Sequence, residues 1–526
     1  MRRAPGQSIR VAWMSITHSA SMTTAAINQA RKPGASPDAR ASALARVSEF
    51  IRKYALRLSL ISAAALIPCF WHRRIEAGDL GSHLYNAWLV QLIEHGQAPG
   101  LYVARMWTNV LFDHLLSALA GAFGFWAAEK IAVSIAALIF FWGAFTLVAA
   151  ATRRAPWYIL PLIAMFTYGW TFELGFFNYY LSLGISFFSL ALLWRGAGWE
   201  RAVALALTPL IWMAHPLGVV WLFGAGGCVL LAEILPRRYQ ILIFAAAIAG
   251  IILARYYLVH HFILDQEEVS LAFSNGADQL DLFSDRYYIL ENVLLYFGVF
   301  ALTVDVIRRR REPGLWATYS TPLALYFLVE LSVLLLPDGI RFPNRPAALA
   351  LLTARLTLLS AVLICCIWGT VRPQKWHLAG LTAIAAVFFT LLYRDTGSVN
   401  KMEAQVERLI GTLPPNQRVM ATILPPPESR VLIQHILDRA CIGRCLSYGN
   451  YEPASEVFRV RARPGNLYVL SNFDDIGAME DGDYTVRAED LPAYQVYQCS
   501  LKGPDLCIRP LAEDEDNDQL GIHPKK

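Results

Sequence analysis

Twelve apolar runs, most of them long enough to cross a membrane as a helix, dominate this sequence of 526 residues. Hydrophobic residues make up 56% of the chain and charged residues only 17%. A helix of about 20 apolar residues spans the hydrocarbon core of a bilayer, so the pattern predicts an all-α polytopic membrane domain. The runs cover residues 54–71, 107–123, 131–150, 157–172, 176–194, 202–213, 217–235, 241–259, 289–307, 318–336, 347–370 and 376–393.

Basic clusters predict the orientation of these runs. Cytoplasmic loops are enriched in Lys and Arg, so the gaps without a cluster and everything after Arg394 are predicted to lie outside. A cytoplasmic amino terminus and an outer carboxyl terminus need an odd number of crossings, which twelve runs do not give. The conflict falls between Trp107 and Lys130, and we predict about 11 to 13 crossings. The clusters lie at alternate gaps, at 153–154, 195–201, 237–238, 308–311 and 372–375.

The composition divides the chain into three parts. Residues 1–50 are rich in Arg, Ala, Ser and Thr and are predicted to be a disordered cytoplasmic segment. Residues 51–393 form the predicted membrane domain, and residues 394–526 are Pro-rich and charged. Local patterns in the last part indicate a small extracytoplasmic α/β domain, with helices at 402–413 and 431–440 and strands at 418–423 and 466–471.

The net charge of +5 resides in the short clusters between apolar runs. Nucleic-acid binding calls for a basic face with aromatic stacking platforms, so no nucleic-acid partner is predicted. Orientation and composition together predict a multi-pass protein of a bacterial inner membrane with a periplasmic carboxyl domain.

Cysteines in the last part predict disulfides. In an oxidising periplasm four cysteines allow three connectivities, and the short spacings favour Cys441 with Cys445 and Cys499 with Cys507. A four-thiolate zinc site is the alternative, but it calls for tighter Cys-x-x-Cys pairs and a reducing compartment.

Asp79 directly follows the first apolar run, with His83 one helical turn later. An Asp before a helix is a favoured N-cap, and this structural role competes with a catalytic one. At the outer rim of a span, however, a carboxylate can meet a lipid-linked substrate as a general base. His83 is a candidate hydrogen-bond partner of Asp79 or a metal co-ligand.

Ionisable residues inside apolar runs are a second group of candidates. Asp113, Glu330 and Arg355 lie in such runs, where charge is costly and lines a cavity or pairs with another charge. For Glu330 and Arg355, a structural pair between helices is as good an interpretation as substrate contact. His215, before Pro216, interrupts a long apolar stretch at the predicted outer rim.

The outer loop 337–346 contains Arg341 and Arg345 in a Pro-rich frame. Guanidinium groups hold phosphate through a fork of two hydrogen bonds, which suits a lipid phosphate at the membrane surface. Anchoring to lipid headgroups is the alternative role of these two arginines.

Three motifs together resemble the GT-C glycosyltransferases that use polyprenyl-phosphate sugars. They are Gly78-Asp79-x-x-x-His83 after the first run, Asn109-x-x-x-Asp113 entering the next, and the segment from Glu173 to Asn178 before a Leu- and Gly-bearing run. The resemblance covers residues 54–393, and a final extracytoplasmic domain is common in that superfamily.

The resemblance implies an inverting transfer from a polyprenyl-phosphate sugar to a glycan or cell-envelope acceptor. It implies Asp79 as the general base and Arg341 or Arg345 at the lipid phosphate. The familiar second acidic residue is absent, because Leu80 follows Asp79. No cofactor is therefore certain, no metal ligands are assigned, and a divalent metal stays open. The other candidate substrate-binding residues are Asp113, Glu173, Asn178, His215 and Arg355.

Two other classes of function compete with the transferase. A transporter or lipid flippase would use Asp113, Glu330 and Arg355 as an intramembrane ion path, although no inverted repeat is visible. A non-catalytic membrane scaffold would use its outer domain to bind a partner, and Asp79 would then be only an N-cap.

Overall fold

The computed structural model describes residues 37–265, 274–343, 348–423, 428–431, 433, 435–500 and 504–517. The described chain is mostly helical, with short strands that are concentrated in its carboxyl-terminal part. Its helices are α1 Pro37–Ala65, α2 Ile67–Phe70, α3 Leu80–Glu94, α4 Leu111–Phe123, α5 Phe125–Thr152, α6 Leu160–Thr167, α7 Trp170–Glu173, α8 Phe177–Arg195, α9 Gly198–Ala206, α10 Thr208–Ala214, α11 Pro216–Ile234, α12 Gln240–His261, α13 Asp285–Arg309, α14 Leu315–Leu335, α15 Leu352–Thr370, α16 Lys375–Ile410, α17 Ile436–Cys441, α18 Glu452–Ser455 and α19 Phe473–Asp481.

Eight of these helices, α5, α8 and α11 to α16, are long and apolar enough to cross a membrane. They indicate a multi-pass membrane protein, with fewer full-length spans in the described residues than the predicted 11 to 13. The remaining apolar runs form shorter or broken helices. Run 157–172 is divided between a 3₁₀ turn, α6 and α7, and run 202–213 between α9 and α10. Pro161 and Pro209 stand in the first turns of α6 and α10, where their missing N–H groups break a longer helix.

The strands form three small sheets. The largest has the order β6-β5-β8-β9, with β5 parallel to β6 and β8 and with β9 antiparallel to β8. A second sheet has the order β2-β3-β4, and β1 pairs with β7. The strands are β1 Leu101–Val103, β2 Ile263–Asp265, β3 Gly339–Arg341, β4 Ala348–Leu349, β5 Arg418–Thr422, β6 Leu446–Ser447, β7 Val460–Ala462, β8 Ala493–Gln498 and β9 Leu506–Pro510.

The carboxyl-terminal predictions have mixed outcomes. The predicted strand 418–423 is β5, whereas the predicted helix 431–440 shrinks to α17. The predicted strand 466–471 is wrong, because no strand covers those residues. The predicted helix 402–413 is the last part of α16, which continues without a break past Arg394.

Both predicted disulfides are present. Cys441 is bonded to Cys445 and Cys499 to Cys507, and the four cysteines of the apolar runs are free. The first disulfide closes the turn that ends α17, and both of its cysteines are buried. Disulfides at these positions hint at an oxidising compartment for this part of the chain.

Helix α3 lies outside the long apolar helices and joins them to the carboxyl-terminal part. Tyr85 and Leu89 of α3 share one apolar core with Val406 of α16, Val419 of β5 and Leu437 of α17. The pairing of β1 with β7 adds a backbone connection to the same contact. We call this contact between α3 and the chain after residue 400 the outer junction.

Buried charges also connect the outer junction. The Arg439 guanidinium of α17 lies 3.6 Å from Glu129 Oε1 at the start of α5 and 3.4 Å from Glu403 Oε2 of α16. It also donates to the carbonyl of Ile75 at 2.8 Å. One arginine of the carboxyl-terminal part therefore contacts two segments of the apolar domain and the last part of α16 at once.

Candidate functional site

The segment that carries Asp79 rests on the turn between α7 and α8. The Gly78 and Asp79 amides donate to the carbonyls of Glu173 and Leu174 at 2.7 and 2.9 Å. Gly175 has φ +81°, and a Cβ there would lie 2.6 Å from the Asp79 nitrogen. Only glycine both adopts this conformation readily and admits so close an approach, so this turn fixes the position of Asp79.

Asp79 occupies the N-cap position of α3, but its side chain makes no capping hydrogen bond. Its Oδ1 lies 3.7 Å from Nε2 of His435, and its side chain is 20% exposed. The carboxylate is thus left partly open to solvent at the outer junction. The capping role that competes with catalysis has no hydrogen bond to support it.

His435 comes from the segment just before α17 and lies between two carboxylates. Its Nδ1 is 3.1 Å from Asp438 Oδ2, and Asp438 in turn accepts from the Ser447 hydroxyl. Burial alone would lower the pKa of His435. The hydrogen bond to Asp438 and the charges of Asp438 and Asp79 outweigh this effect and raise the pKa to about 9. At neutral pH this histidine is a cation beside Asp79.

His83 does not pair with Asp79, contrary to one of its predicted roles. Its Nδ1 lies 2.8 Å from Asp113 Oδ1 and 3.8 Å from Glu452 Oε1. Burial lowers the pKa of His83, but Asp113 and Glu452 raise it to about 9. Burial raises the pKa of Glu452 to about 7, because little solvent reaches its carboxyl group.

Asp113 and Asn178 were both predicted as candidate site residues, and the structure places their side chains in contact. Asn178 Nδ2 donates to Asp113 Oδ2 at 2.7 Å, while its Oδ1 accepts from the Phe112 amide at 2.8 Å. Arg459 donates to the Asp113 carbonyl at 3.2 Å from the carboxyl-terminal part. Every polar atom of the Asp113 side chain is therefore engaged, which indicates a positioning role for this residue.

Arg355 and His215 form a second contact. Arg355 lies in the first turn of α15, and His215 lies directly before α11. Arg355 Nη1 lies 3.4 Å from His215 Nε2, and His215 Nδ1 accepts from the Leu217 amide at 3.2 Å. Because Nδ1 is an acceptor, the proton of a neutral His215 is on Nε2. Two N–H groups then face each other, which is the arrangement an anion would bridge.

The Arg355 guanidinium has no carboxylate within ion-pair distance among the described residues. It lies 4.1 Å from the ring centroid of Phe176, and its Nε is buried without a hydrogen-bond partner. Asp79 is close enough for its charge to act on the Arg355 guanidinium. A buried donor without an acceptor is uncommon in a folded protein, and an anion at this position would satisfy it.

The other predicted arginines and Glu173 lie elsewhere. Arg341 is 60% exposed, with its Nε 3.1 Å from Asp265 Oδ2, and Arg345 lies outside the described residues. Glu173 is buried behind the Asp79 segment, and burial raises the pKa of its carboxyl well above the usual range. Its carbonyl supports Gly78, whereas its Oε2 has no hydrogen-bond partner.

An apolar groove of about 540 Å³ runs between α11, α12, α14 and α15. Leu217 and Leu352 line it at the end where His215 and Arg355 lie in the sequence, and Leu231 and Ile243 line its other end. Helix α12 closes one side of it without a single buried residue. We call this space the lipid-facing groove.

Sequence reasoning missed the residues that the carboxyl-terminal part supplies to this site, namely His435, Tyr451, Glu452 and Arg459. The His-x-x-Asp spacing of His435 and Asp438 was the only local signal. Among the described residues, no group of three His, Cys, Asp or Glu side chains is arranged to hold a metal ion.

Comparison of the chain with models of protein families, with curated proteins and with solved structures gives no match.

Proposed function

We propose that this protein is a membrane glycosyltransferase that acts at the outer junction. Its donor would be a polyprenyl-phosphate sugar, and its acceptor a hydroxyl group of an extracytoplasmic glycan or cell-envelope molecule. Asp79 would be the general base, and Arg355 with His215 would bind the donor phosphate. The observation that carries this proposal is the Asp79 carboxylate, which is partly exposed and makes no capping hydrogen bond, within electrostatic reach of a buried guanidinium that has no carboxylate within ion-pair distance among the described residues.

The proposed reaction is an inverting displacement at the anomeric carbon. The acceptor oxygen forms a bond to that carbon as its proton passes to Asp79, and the bond from the carbon to the phosphate oxygen breaks. Polyprenyl phosphate leaves with the electron pair of that bond. Arg355 would offset the charge on the leaving phosphate, because a guanidinium stays charged at any working pH.

Three features of the chain support this assignment over the sequence-based one at Arg341. Arg341 is largely exposed and already has Asp265 as its anion. Arg355 has an unpartnered Nε and lies within electrostatic reach of Asp79. Leu352 and Leu356, which flank Arg355, line the lipid-facing groove, so an isoprenoid chain attached to the phosphate would have an apolar surface.

His435 would position Asp79 rather than react. A cation 3.7 Å from the carboxylate favours one orientation of it, and Asp438 holds the imidazole from the other side. The pair from His83 to Asp113 would fix the start of α3 in the same manner. Residues of the apolar domain and of the carboxyl-terminal part would thus together position Asp79.

The test is sugar transfer from polyprenyl-phosphate sugars in membranes that contain folded protein. Asp79→Asn keeps the size of the side chain but removes the proton acceptor, so we expect a fall in rate of roughly 10² to 10⁴-fold. Asp285→Asn is the matched control, because Asp285 is exposed at the start of α13 and should leave the rate unchanged.

Arg355→Lys keeps the charge and removes the fork. We expect weaker donor use by roughly tenfold or more, whereas Arg341→Lys should be nearly silent. Full activity in Asp79→Asn would show that Asp79 is not the general base and would contradict the proposed transferase. If Arg341→Lys lost activity and Arg355→Lys kept it, the donor phosphate would instead be assigned to Arg341 in the outer loop.

A further inference from the structure

A polar cavity of about 460 Å³ lies at the opposite end of the bundle from Asp79. It lies where α5, α8 and α11 end and where α12 and α14 begin, and its lining includes Arg153, Arg195, Glu233, Gln240 and Thr318. The basic clusters at 153–154 and 195–201 predict that this end faces the cytoplasm. We call it the inner cavity.

The inner cavity has more cationic than anionic groups. Arg195 Nη1 and Arg201 Nη2 share the carboxylate of Glu233, at 3.2 and 3.4 Å. Arg153 is exposed beside them and has no ion-pair partner among the described residues. Arg201 Nε is buried without a hydrogen-bond partner. Arg153, Arg195 and Glu233 line the cavity, so its lining has two guanidinium groups and one carboxylate, and Arg201 outside the lining also pairs with that carboxylate.

Arg153 occupies an uncommon backbone conformation at the end of α5. Its φ of +57° is left-handed, a region that Gly and Asn adopt far more readily than Arg. The carboxyl end of a helix carries partial negative charge, which favours a cation there. Arg153 is that cation, and it lines the inner cavity without an ion-pair partner among the described residues.

The inner cavity adjoins the lipid-facing groove, because their lining residues are neighbours on three helices. On α11, Ala232 lines the cavity and Leu231 lines the groove. On α14, Thr321 and Leu325 are one turn apart on the two sides, and on α12 Gln240 and Ile243 have the same relation. A polar, cationic end thus adjoins an apolar channel, which is the shape and charge order of a lipid.

We propose that the inner cavity binds the headgroup of an anionic phospholipid from the cytoplasmic leaflet. Its phosphate would accept hydrogen bonds from Arg153 and Arg195, and its acyl chains would lie in the inner half of the lipid-facing groove. Basic pockets between helices on the cytoplasmic side are the usual binding sites of such headgroups.

This site is distinct from the proposed donor site at Arg355. Each leaflet contributes about half of a hydrocarbon core of roughly 30 Å, so a phospholipid entering from the inside reaches only the inner half of the groove. The outer half, near Leu217 and Leu352, stays open to the donor. The inner site would therefore be occupied whether or not the protein transfers sugar.

The test measures lipid bound to the purified full-length protein by native mass spectrometry, after exchange into phosphatidylcholine vesicles that contain phosphatidylglycerol. We expect selective retention of phosphatidylglycerol, and at least a tenfold loss of it in Arg153→Gln/Arg195→Gln. Arg308→Gln/Arg311→Gln is the control, because both arginines are exposed and neither lines the cavity. The control should retain the lipid as the unaltered protein does.

Arg153→Gln alone keeps the test decisive if loss of Arg195 disturbs folding, since the Arg153 side chain makes no ion pair with any residue that the structure describes. It should lower retention of phosphatidylglycerol by several-fold with an unchanged melting temperature. Equal retention of phosphatidylcholine, or unchanged retention in both variants, would overturn the proposal. So would displacement of the lipid by inorganic phosphate, which would indicate an ion site, or by polyprenyl phosphate, which would assign the cavity to the donor.

Discussion

Helices α8 and α12 are both apolar enough to cross a membrane, yet they differ completely in burial. In the most apolar stretch of α8, 89% of the residues are buried inside the protein, and in that of α12 none are. Helix α8 contributes Asn178, which donates to Asp113 of α4, and Asp113 in turn pairs with His83 of α3. Helix α12 only borders the lipid-facing groove. Close packing is therefore concentrated around α8, whereas the side chains of α12 are left exposed beside the groove.

The largest difference between the two regions should follow removal of a buried charge. Asp113→Ala leaves His83 buried without its closest partner, which we expect to cost about 3 to 5 kcal/mol. Ile252→Ala on α12, where the side chain is 52% exposed, should change the free energy of unfolding by less than about 0.5 kcal/mol. Thermal unfolding in one detergent measures both. Equal shifts would mean that the outer junction is no more tightly packed than the α12 side.

Dependence of stability on pH should also arise at the outer junction. The pKa of His435 is about 9 in the folded protein against about 6.5 when unfolded, so its stabilisation is full below pH 6.5 and is lost as pH rises to 9. The loss amounts to about 3 kcal/mol. Glu452, with its pKa raised to about 7, adds to the same trend, because ionisation above its unfolded value disfavours the folded state.

Melting temperatures measured from pH 6 to pH 9 test this dependence. His435→Gln should reduce the fall in stability across that window. His260→Gln/His261→Gln at the end of α12 is the matched control, because these exposed rings bond only to backbone carbonyls of their own helix. If the control flattens the profile as much as His435→Gln does, the pH response does not come from the junction.

Two glycines provide the smallest and most specific contrast. Gly175→Ala places a Cβ 2.6 Å from the Asp79 nitrogen at φ +81°, and we expect a cost of about 1 to 3 kcal/mol together with reduced sugar transfer. A Cβ at Gly250 of α12 would meet no atom within 4 Å, so Gly250→Ala should stabilise the helix by about 0.5 to 1 kcal/mol. Opposite signs are expected in thermal unfolding, and two losses of equal size would contradict the contrast.

Hydrophobicity is a local property, and for that reason the apolar runs were predictable. All twelve contain helix. The count of full spans is lower because some runs are divided, as at Pro161 and Pro209, and because the helix of run 107–123, Leu111–Phe123, is only 13 residues long. The wrong strand at 466–471 has a local cause that competes with strand formation. Asn466 Oδ1 accepts from the Tyr468 and Val469 amides at 2.8 and 2.9 Å, which curls the backbone into a turn.

The candidate site was only half predictable, for a different reason. Asp79 follows an apolar run, Asn178 lies near the start of one and Asp113 lies inside one, so position alone made them candidates. His435, Glu452 and Arg459 lie in a segment with no hydrophobic period, and their importance comes from contacts with residues more than 300 positions away. Arg355 was predicted as one of several buried charges. Its missing partner is visible only in three dimensions.

The pairing of β1 with β7 has a consequence for biosynthesis. Strand β1 cannot form its backbone pairing until the ribosome has synthesised β7, roughly 360 residues later in the chain. At about 5 to 20 residues per second, the ribosome takes on the order of 20 to 70 s to supply that partner. A chain terminated before residue 435 would contain the apolar helices and Asp79 but would lack His435 and the partner strand of β1.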